Sequence, residues 1–495
     1  MNKKATETFC HSILQLEVGK SKALSNLVMG LGSQTNAGSV TEISQSHCYH
    51  YQYSSITDCI DALYSDEKEH LNTESSVDRE KMEAALLSIK SAHYAKPFDK
   101  FYLLNTDSTP IIRPHSPTLE DESYVHVPNQ RIKGNRPVNV GYDYTVIGLS
   151  GRRPLYNGKE AAWNLPLSVR RMTTDSVRGT TTAKQVNDLL NNPDTPLKGN
   201  LVVNALDRQY GTPEYIVDTY EQEDLINIIR LKNNRNVWEQ LTSLEVENKR
   251  QANNDQRGAN SVYGEQYSFK NADEWDKAPD ESIRFGTQLS NGRKVIVEVC
   301  SWNDMLIRTK RGKNMKNKPM RLVSIRLLDI KTEQPIYKRR MWLGLWGKRR
   351  AELDLEEIYW CYRNRFDIEH FFRFCKQQLL FDKYQTPDVE HLDNWVEIVN
   401  LTYWLLWVAK EEAKPCVYKW QKYDPYYKNR VKYQLSPSPS EVQRQLATII
   451  WTFDQEPFIP KLKIISEGRK KGDTQPKRKH YKVVYKGKKR PKKRA

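Results

Sequence analysis

Three short apolar runs, separated by segments with helical or turn patterns, constrain the fold of this chain most. The runs FYLLNTD and LVVNALD each end in an acid, Asp107 and Asp207, and a third run, LINIIRL, begins at Leu225. The segment SVRGTTTAKQVNDLLNN, between the first two, has a helical pattern. Short apolar runs that alternate with helices are typical of a buried α/β sheet. We therefore predict an α/β core in which one strand ends at Asp107 and another, Leu201–Leu206, ends at Asp207.

The stretch YRNRFDIEHFFRFCK, residues 362–376, reads as one continuous helix with an unusual arrangement of charge. At about 100° per residue, an arc of about 60° on this helix holds a polar row: Tyr362, Arg365, Glu369 and Lys376. The row borders an apolar arc that includes Ile368 and Cys375. A solvated surface helix would carry its charges opposite the apolar stripe, so the row predicts the wall of a functional site.

Between Asp207 and this helix, the sequence pattern changes to strands. The segments SIRFGTQLSNGRKVIVEV, MRLVSIRLLDI and IYKRRMWLGL are typical of strands, and the first contains a hairpin signal at Asn291-Gly292. We interpret residues 236–345 as a β-rich insertion in the core. Within it, positions 308–321 carry seven Lys or Arg and no acid.

The two ends of the chain have different patterns from the middle. Residues 1–95 have helical patterns, with a weak indication of a helix-turn-helix in SVTEISQSHCYHYQY. The apolar run LTYWLLWVA is too short to cross a bilayer and is typical of a core helix. We interpret residues 413–468 as a C-terminal region and residues 469–495 as a basic, disordered tail.

The net charge of +17 favours a polyanionic partner. Residues 469–495 hold 14 Lys or Arg against one Asp and so contribute +13 of that charge. The rest of the chain is only mildly basic. Seven cysteines without a CxxC pair argue against a disulfide scaffold or a zinc ribbon, and together with the lack of a signal-peptide pattern they predict a cytoplasmic protein.

Three acids, Asp107, Asp207 and Glu369, predict a metal site. Carboxylates at the ends of neighbouring strands gather at one edge of an α/β sheet, and a helix packed there can add a third. Three carboxylates form an oxygen cage suited to Mg²⁺, and two such ions can activate a nucleophile and stabilise the leaving oxygen in phosphoryl transfer. Asp367 lies off the polar row and is a poor substitute for Glu369.

The remaining residues of the polar row are candidates for binding nucleic acid. Arg365 and Lys376 could hold phosphates, and Tyr362 could stack or form a hydrogen bond near a DNA end. Each residue alone has a simpler interpretation, because an Asp after a strand is usually a turn or cap residue. In the structural alternative for Arg365, it pairs with an acid and only stabilises the fold.

These segments resemble those of a known family. The spacing Tyr-(2)-Arg-(3)-Glu-(6)-Lys, matched in full by residues 362–376, resembles the signature of bacterial insertion-sequence DDE transposases whose RNase H-like core carries a β-strand insertion. LLNTDSTP is similar to the first-Asp segment of that group. VVNALDRQYGTPEYI, with INIIRLKNNRNVW, is similar to its second-Asp segment. The resemblance covers roughly residues 95–412, and the signature does not predict the basic tail.

The resemblance implies a domain organisation. It implies an RNase H-like catalytic core in two parts, residues 96–235 and 346–412, interrupted by the β-rich insertion. It also implies that the α-helical N-terminal domain, residues 1–95, binds DNA.

The resemblance further implies cut-and-paste transposition. Asp107, Asp207 and Glu369 would be catalytic and hold two Mg²⁺ ions, for which Mn²⁺ can substitute. The residues contacting DNA near the cleaved end would be Tyr362, Arg365 and Lys376. The implied partners are double-stranded DNA, as terminal inverted repeats and target DNA, and a second copy of the chain in a synaptic homodimer. No membrane is implied, and the expected location is the bacterial cytoplasm, at the nucleoid.

Two other functions stay open at this point. One is a different RNase H-like nuclease, such as a resolvase, which the polar row and the insertion argue against. The other is a transposon-derived DNA-binding protein that no longer cuts, which the complete set of acids disfavours. A cleavage assay on the element's own ends with Mg²⁺ would separate them.

Deletion of residues 469–495 should lower the affinity for DNA of any sequence and flatten its dependence on salt, because it removes +13 of charge. Discrimination between element ends and random DNA should change little, since phosphate contacts carry no sequence information. Equilibrium binding to both kinds of DNA over a salt series measures both effects. Loss of end specificity would show instead that the tail reads sequence.

Overall fold

The computed structural model describes fourteen parts of the chain: residues 5–11, 22–63, 79–89, 100–127, 137–151, 161–174, 177–252, 262–289, 293–309, 313–414, 423, 436–456, 470–474 and 477–483. Most of the basic tail lies outside these residues, so its disorder stays a prediction. The six cysteines within them are free thiols.

The described residues form helices at both ends of the chain and strands through its middle. The α-helices are α1 (Ala5–Thr8), α2 (Lys22–Ser33), α3 (Ser54–Ala62), α4 (Arg79–Ser88), α5 (Arg178–Asn191), α6 (Pro213–Thr219), α7 (Ser243–Ala252), α8 (Leu355–Asn364), α9 (Asp367–Gln378), α10 (Val389–Ala409) and α11 (Pro439–Trp451). Four 3₁₀ helices also occur: Val40–Gln45, Arg208–Tyr210, Phe269–Glu274 and Arg350–Glu352. The strands are β1 (Tyr102–Ile112), β2 (Ser123–His126), β3 (Val138–Ser150), β4 (Asn164–Arg171), β5 (Val202–Leu206), β6 (Leu225–Arg230), β7 (Asn236–Gln240), β8 (Tyr263–Ser268), β9 (Glu281–Gln288), β10 (Lys294–Leu306), β11 (Met320–Asp329) and β12 (Met341–Trp346).

The twelve described strands form one mixed sheet. Its order is β2-β3-β1-β5-β6-β12-β11-β10-β7-β8, with β4 paired to β3 and β9 paired to β10. Strands β1, β3 and β4 make an antiparallel meander, whereas β5 and β6 run parallel to β1. The predicted mixture of helices and strands is confirmed.

The parallel pairing of β1 with β5 sets the register at the centre of the sheet. Thr106 lies opposite Leu206, the last residue of β5, so Asp107 and Asp207 are the residues that follow this last pair. The prediction that the first strand ends at Asp107 was wrong. β1 continues to Ile112 because β3 pairs with it along residues 104–112, and a sequence pattern does not reveal that partner.

The strands between residues 236 and 345 continue the same sheet. β12 pairs antiparallel with β6, and β11, β10 and β9 follow by antiparallel pairing. The predicted hairpin is present as the β9–β10 pair, although Asn291-Gly292 falls outside the described residues. This segment is therefore attached to the core through backbone hydrogen bonds to β6.

Helices cover both faces of the central sheet. On one face, α8 packs on apolar residues of β1, β5 and β6. On the other, α5, α6, α9 and α10 share a second apolar core. Because both faces are covered, the central strands are apolar on both sides, which explains their continuous apolar runs.

Helices from both ends of the described chain pack against helix α10. It is buried almost throughout, as predicted for LTYWLLWVA, and α2, α3 and α11 pack against it. The N-terminal helices thus share a core with the sheet. Around SVTEISQSHCYHYQY the structure has the 3₁₀ helix Val40–Gln45 and α3, and the helix-turn-helix stays a prediction. No helix in the described residues is long and apolar enough to span a membrane.

A chain of buried polar side chains crosses the central strands beneath α6. Thr106 Oγ1 donates to Asn204 Oδ1 (2.8 Å), and Asn204 Nδ2 donates to the Tyr215 hydroxyl (3.0 Å). That hydroxyl donates to Asn227 Oδ1 (2.8 Å), and Asn227 Nδ2 donates to Thr219 Oγ1 (3.0 Å). These hydrogen bonds connect β1, β5 and β6 to α6.

Tyr215→Phe should lower the free energy of unfolding by roughly 1–3 kcal/mol, because Asn204 Nδ2 and Asn227 Oδ1, both buried, each lose the Tyr215 hydroxyl as a hydrogen-bond partner. Thermal unfolding of the variant, compared with that of Tyr337→Phe, measures the effect. Tyr337 is 61% exposed and its variant should be neutral. Equal stability of the two variants would show that the buried chain contributes nothing.

Candidate active site

Two acids lie side by side where β5 ends and β1 continues. Neighbouring strands are separated by about 5 Å, so Asp107 and Asp207, one step beyond the last pair in register, are adjacent across the sheet. Asp107 Oδ1 accepts a hydrogen bond from the backbone N–H of Ser108 (2.8 Å). The Asp207 side chain accepts from the N–H of Arg208 and so caps the 3₁₀ helix that follows β5.

Arg365 connects the sheet to the third acid. Its Nη1 donates to Asp107 Oδ2 (2.8 Å) and its Nη2 donates to Glu369 Oε1 (3.1 Å). The Arg365 side chain is 5% exposed, whereas those of Asp107 and Glu369 are 21% and 46% exposed. A buried guanidinium therefore bridges two of the three predicted acids, with Glu369 open to solvent.

The pKa of the Asp107 carboxyl reflects the proximity of the other two acids. Burial raises the pKa of the Asp107 carboxyl to about 6; Arg365 opposes this shift, while Asp207 and Glu369 add to it. Burial lowers the pKa of the Arg365 guanidinium, but Tyr362 and the three acids together raise it above its usual value. The site thus gathers negative charge in a partly dehydrated place, where a cation is stabilised.

The sequence predicted that the polar row lies on one continuous helix, and this was wrong. The helix breaks at Arg365 and Phe366, between α8 and α9. There the backbone makes i→i+3 hydrogen bonds, including Arg365 N–H to the Tyr362 carbonyl (3.3 Å) and Glu369 N–H to the Phe366 carbonyl (3.1 Å). A 3₁₀ turn has about 3.0 residues per turn, so the side-chain positions calculated for an α-helix shift across it. Arg365 and Glu369 nevertheless meet.

Tyr362 and Lys376 lie on either side of this contact. Tyr362 is 1% exposed, and the Arg365 guanidinium lies 5.7 Å from the centre of its ring. Lys376 Nζ donates to the Pro110 carbonyl on β1 (2.8 Å), and burial lowers its pKa. In this conformation the Tyr362 ring lies against the Arg365 guanidinium, and Lys376 lies about two turns of α9 beyond Glu369.

Asp367 is buried, at 1% exposure, and lies on the inner side of α9. Its position agrees with the expectation that it is off the polar row. However, a buried side chain is a poor control for mutagenesis, because its replacement disturbs packing.

Sequence reasoning missed a second ion pair beside the site. Arg178, the first residue of α5, pairs with Asp143 of β3 and also donates to Gln209. Its charge interacts with Asp107 as well. The one signal in the sequence is Asp143 itself, an acid within the apolar strand VNVGYDYTVIGL.

Asn105, also missed, fixes the helix break to the sheet. Its buried Nδ2 donates to Asn164 Oδ1 on β4 (3.0 Å) and to the carbonyl of Asn364 (3.4 Å). Asn364 is the last residue of α8 and immediately precedes Arg365. This contact holds the end of α8 over β1, two residues before Asp107.

The three acids fit Mg²⁺ in their chemistry, because carboxylate oxygens are the ligands that this ion prefers. As they stand, no three His, Cys, Asp or Glu side chains in the described residues form a group that could hold a metal ion. Arg365 explains this, because its guanidinium lies between Asp107 and Glu369.

Three of the seven cations in the basic run at 308–321 form ion pairs within the described residues. Lys313 and Lys318 form ion pairs with Asp218 and Glu221 near the end of α6, and Arg321 pairs with Glu281 (2.8 Å). Charges paired in this way contribute less to binding of a polyanion than the sequence alone indicates.

Comparison with known families gives a match over about the middle half of the chain. Residues 164–405 match the family described as Transposase DDE domain. The matched span begins at β4 and ends within α10, so it contains Asp207 and Glu369 but not Asp107. It supports a transposase-family function for the chain, with DNA as the partner that such a family implies. No curated protein matches the chain.

Arg365→Ala should lower the free energy of unfolding by roughly 2–4 kcal/mol without divalent metal, because Asp107 loses its cation in a buried place. Mn²⁺ should raise the melting temperature of this variant more than that of the unaltered protein, since in the variant the ion does not compete with the guanidinium. Arg373→Ala, at an exposed position on α9, is the control and should change neither value. An Arg365→Ala protein that is as stable as the control and insensitive to Mn²⁺ would contradict the bridge.

Proposed function

We propose that this chain is a DNA transposase that carries out cut-and-paste transposition of an insertion sequence by Mg²⁺-dependent phosphoryl transfer. The observation that carries the proposal is the parallel register of β1 and β5, which brings Asp107 and Asp207 together, with Arg365 linking Asp107 to Glu369. Two acids from the sheet and one from a helix supply the oxygen ligands that this reaction needs.

In the proposed mechanism, Asp107, Asp207 and Glu369 hold the divalent ions, as Mg²⁺ or Mn²⁺. Bound there, the ions would activate the attacking oxygen and stabilise the leaving oxygen. The first attack, by water, frees a 3′-OH at the element end, and the same 3′-OH later attacks target DNA. Glu369 is the most exposed of the three acids and can therefore move most readily towards a ligand.

Arg365 would change partners as DNA binds. Its planar fork, now shared between Asp107 and Glu369, is suited to bind a phosphate in two-point fashion. Lys376 would add a positive point charge near the same DNA strand. Tyr362, buried beneath Arg365, would act by positioning that guanidinium for the phosphate.

The proposal extends to the fold and the partners. The order β4-β3-β1-β5-β6, with the antiparallel meander followed by two parallel strands, supports an RNase H-like core. The strands after β6 would be the insertion, and the proposed substrates are terminal inverted repeats and target DNA. Strand transfer would take place in a homodimer, in the bacterial cytoplasm at the nucleoid.

A second candidate is a transposon-derived DNA-binding protein that has lost cleavage. One observation favours it: Arg365 already pairs with Asp107 and Glu369, as expected if Arg365 only stabilises the fold. The two functions differ in one property, since only the transposase cuts element ends when Mg²⁺ is added.

Asp107→Asn, Asp207→Asn and Glu369→Gln should each reduce cleavage of the element's own ends by a factor of 10³ or more, while end binding stays within about threefold. The amides keep the shape and one of the two acceptor oxygens of each acid but remove the charge that binds the ions. Single-turnover cleavage with Mg²⁺, measured beside equilibrium binding, separates the two effects.

The matched control is Asp194→Asn, because Asp194 is exposed in the turn before β5, at the opposite end of that strand. It should cleave at the unaltered rate. Near-normal cleavage by any one of the three site variants would remove that residue from the site, and an unaltered protein that binds ends without cutting them would favour the second candidate.

A further inference from the structure

A basic cavity opens where the two parallel strands β5 and β6 end, beside Asp207. Its volume is about 460 Å³, and its lining residues come from the loops after the two strands: Arg208, Gln209, Gly211, Thr212, Lys232 and Arg235. Three of these carry positive charge and none is acidic. Ligands of open α/β sheets bind at the carboxyl ends of the strands, which is the position of this cavity.

Arg235 is held in place in the cavity by the backbone around it. Arg235 Nη2 donates to the Gly211 carbonyl (2.7 Å), and its own N–H donates to the Lys232 carbonyl (3.1 Å). Burial lowers the pKa of the Arg235 guanidinium. Its charge is therefore costly where it is, and an anion in the cavity would offset that cost.

The cavity differs from the basic run at 308–321 in how its charge is used. Lys313 and Lys318 of that run pair with acids of the same fold. Lys232 and Arg208 are exposed at the rim of a concave site whose lining residues include three cations and no acid. A concave cluster of one sign of charge concentrates ligands of the opposite sign.

We propose that this cavity binds a phosphate of the DNA backbone that lies next to the phosphate being cut. The inference rests on the proposed function, because it identifies the strand as the substrate of the neighbouring acids. Arg208 immediately follows Asp207, whose side chain accepts from the Arg208 N–H. A phosphodiester in the cavity would therefore lie beside the acid, and the cavity has room for the phosphate with its flanking sugars.

The occupied cavity would position the DNA strand for the reaction. A phosphate held by Lys232 and Arg208 fixes the neighbouring phosphate relative to Asp107 and Asp207 without touching the reacting atoms. These two cations are positioning residues, and they should contribute to binding of any sequence, since phosphate contacts do not read bases.

The first test measures the salt dependence of binding to double-stranded DNA of random sequence. Lys232→Ala and Arg208→Ala should each make the slope of log affinity against log salt shallower by about 0.9, the value for one lost phosphate contact. Lys198→Ala is the control, because Lys198 is an exposed lysine at the opposite end of β5, and it should leave the slope unchanged. Slopes of the two cavity variants equal to that of the control would overturn the proposal.

The second test locates the phosphate on an element end in which single phosphates are replaced by neutral methylphosphonates. In the unaltered protein, replacement at one or two positions next to the cleavage site should weaken binding, and Lys232→Ala should abolish that sensitivity at the same positions only. Sensitivity that persists in Lys232→Ala would overturn the proposal. Both tests require binding alone, so they give an answer even if the chain proves unable to cut DNA, which would reject only the proposed function.

Discussion

The parallel pairing of β1 with β5 is the contact on which the rest of the structure depends. Thr106 opposite Leu206 brings Asp107 and Asp207 to one point on the sheet. The same pairing aligns Thr106 with Asn204, which begins the buried polar chain to Tyr215 and α6. A shift of one residue in this register would turn Asp107 to the other face and break that chain.

The short apolar strands were predictable because helices cover both faces of the central sheet. β5, β6 and α5 lie within a residue or two of their expected positions, since continuous apolar runs and a helical pattern are local. The end of β1 was not predictable in this way. Asp107 lies within that strand because β3, more than thirty residues later, pairs with it beyond the acid.

One contact of the candidate site was predictable from the sequence, and the others were not. The spacing of Arg365 and Glu369 indicated that they share a wall, and they form an ion pair. The break between α8 and α9 was missed, because the i→i+3 turn at Arg365 depends on Asn105 holding the end of α8 from another strand. The Arg365 bridge to Asp107 and the ion pair of Arg178 with Asp143 join residues far apart in sequence, and no spacing rule detects them.

Charge is arranged differently in the fold than along the sequence. The basic run at 308–321 is dense in sequence but partly paired with acids, whereas the scattered cations Arg208, Lys232 and Arg235 meet in one cavity. Arg365 acts as an internal cation among the three acids, which explains how they remain together in a partly buried place. In the proposed mechanism, divalent metal would replace that guanidinium beside the acids, and a DNA phosphate would become the new partner of Arg365.

Anomalous X-ray diffraction from crystals of the protein with an element end and Mn²⁺ tests the central claim most directly. The proposed site predicts Mn²⁺ bound to the carboxylates of Asp107 and Asp207, with the Arg365 guanidinium moved from Asp107 to a DNA phosphate. Crystals in which Mn²⁺ binds elsewhere, or in which Arg365 still bridges Asp107 and Glu369 with DNA in place, would contradict it.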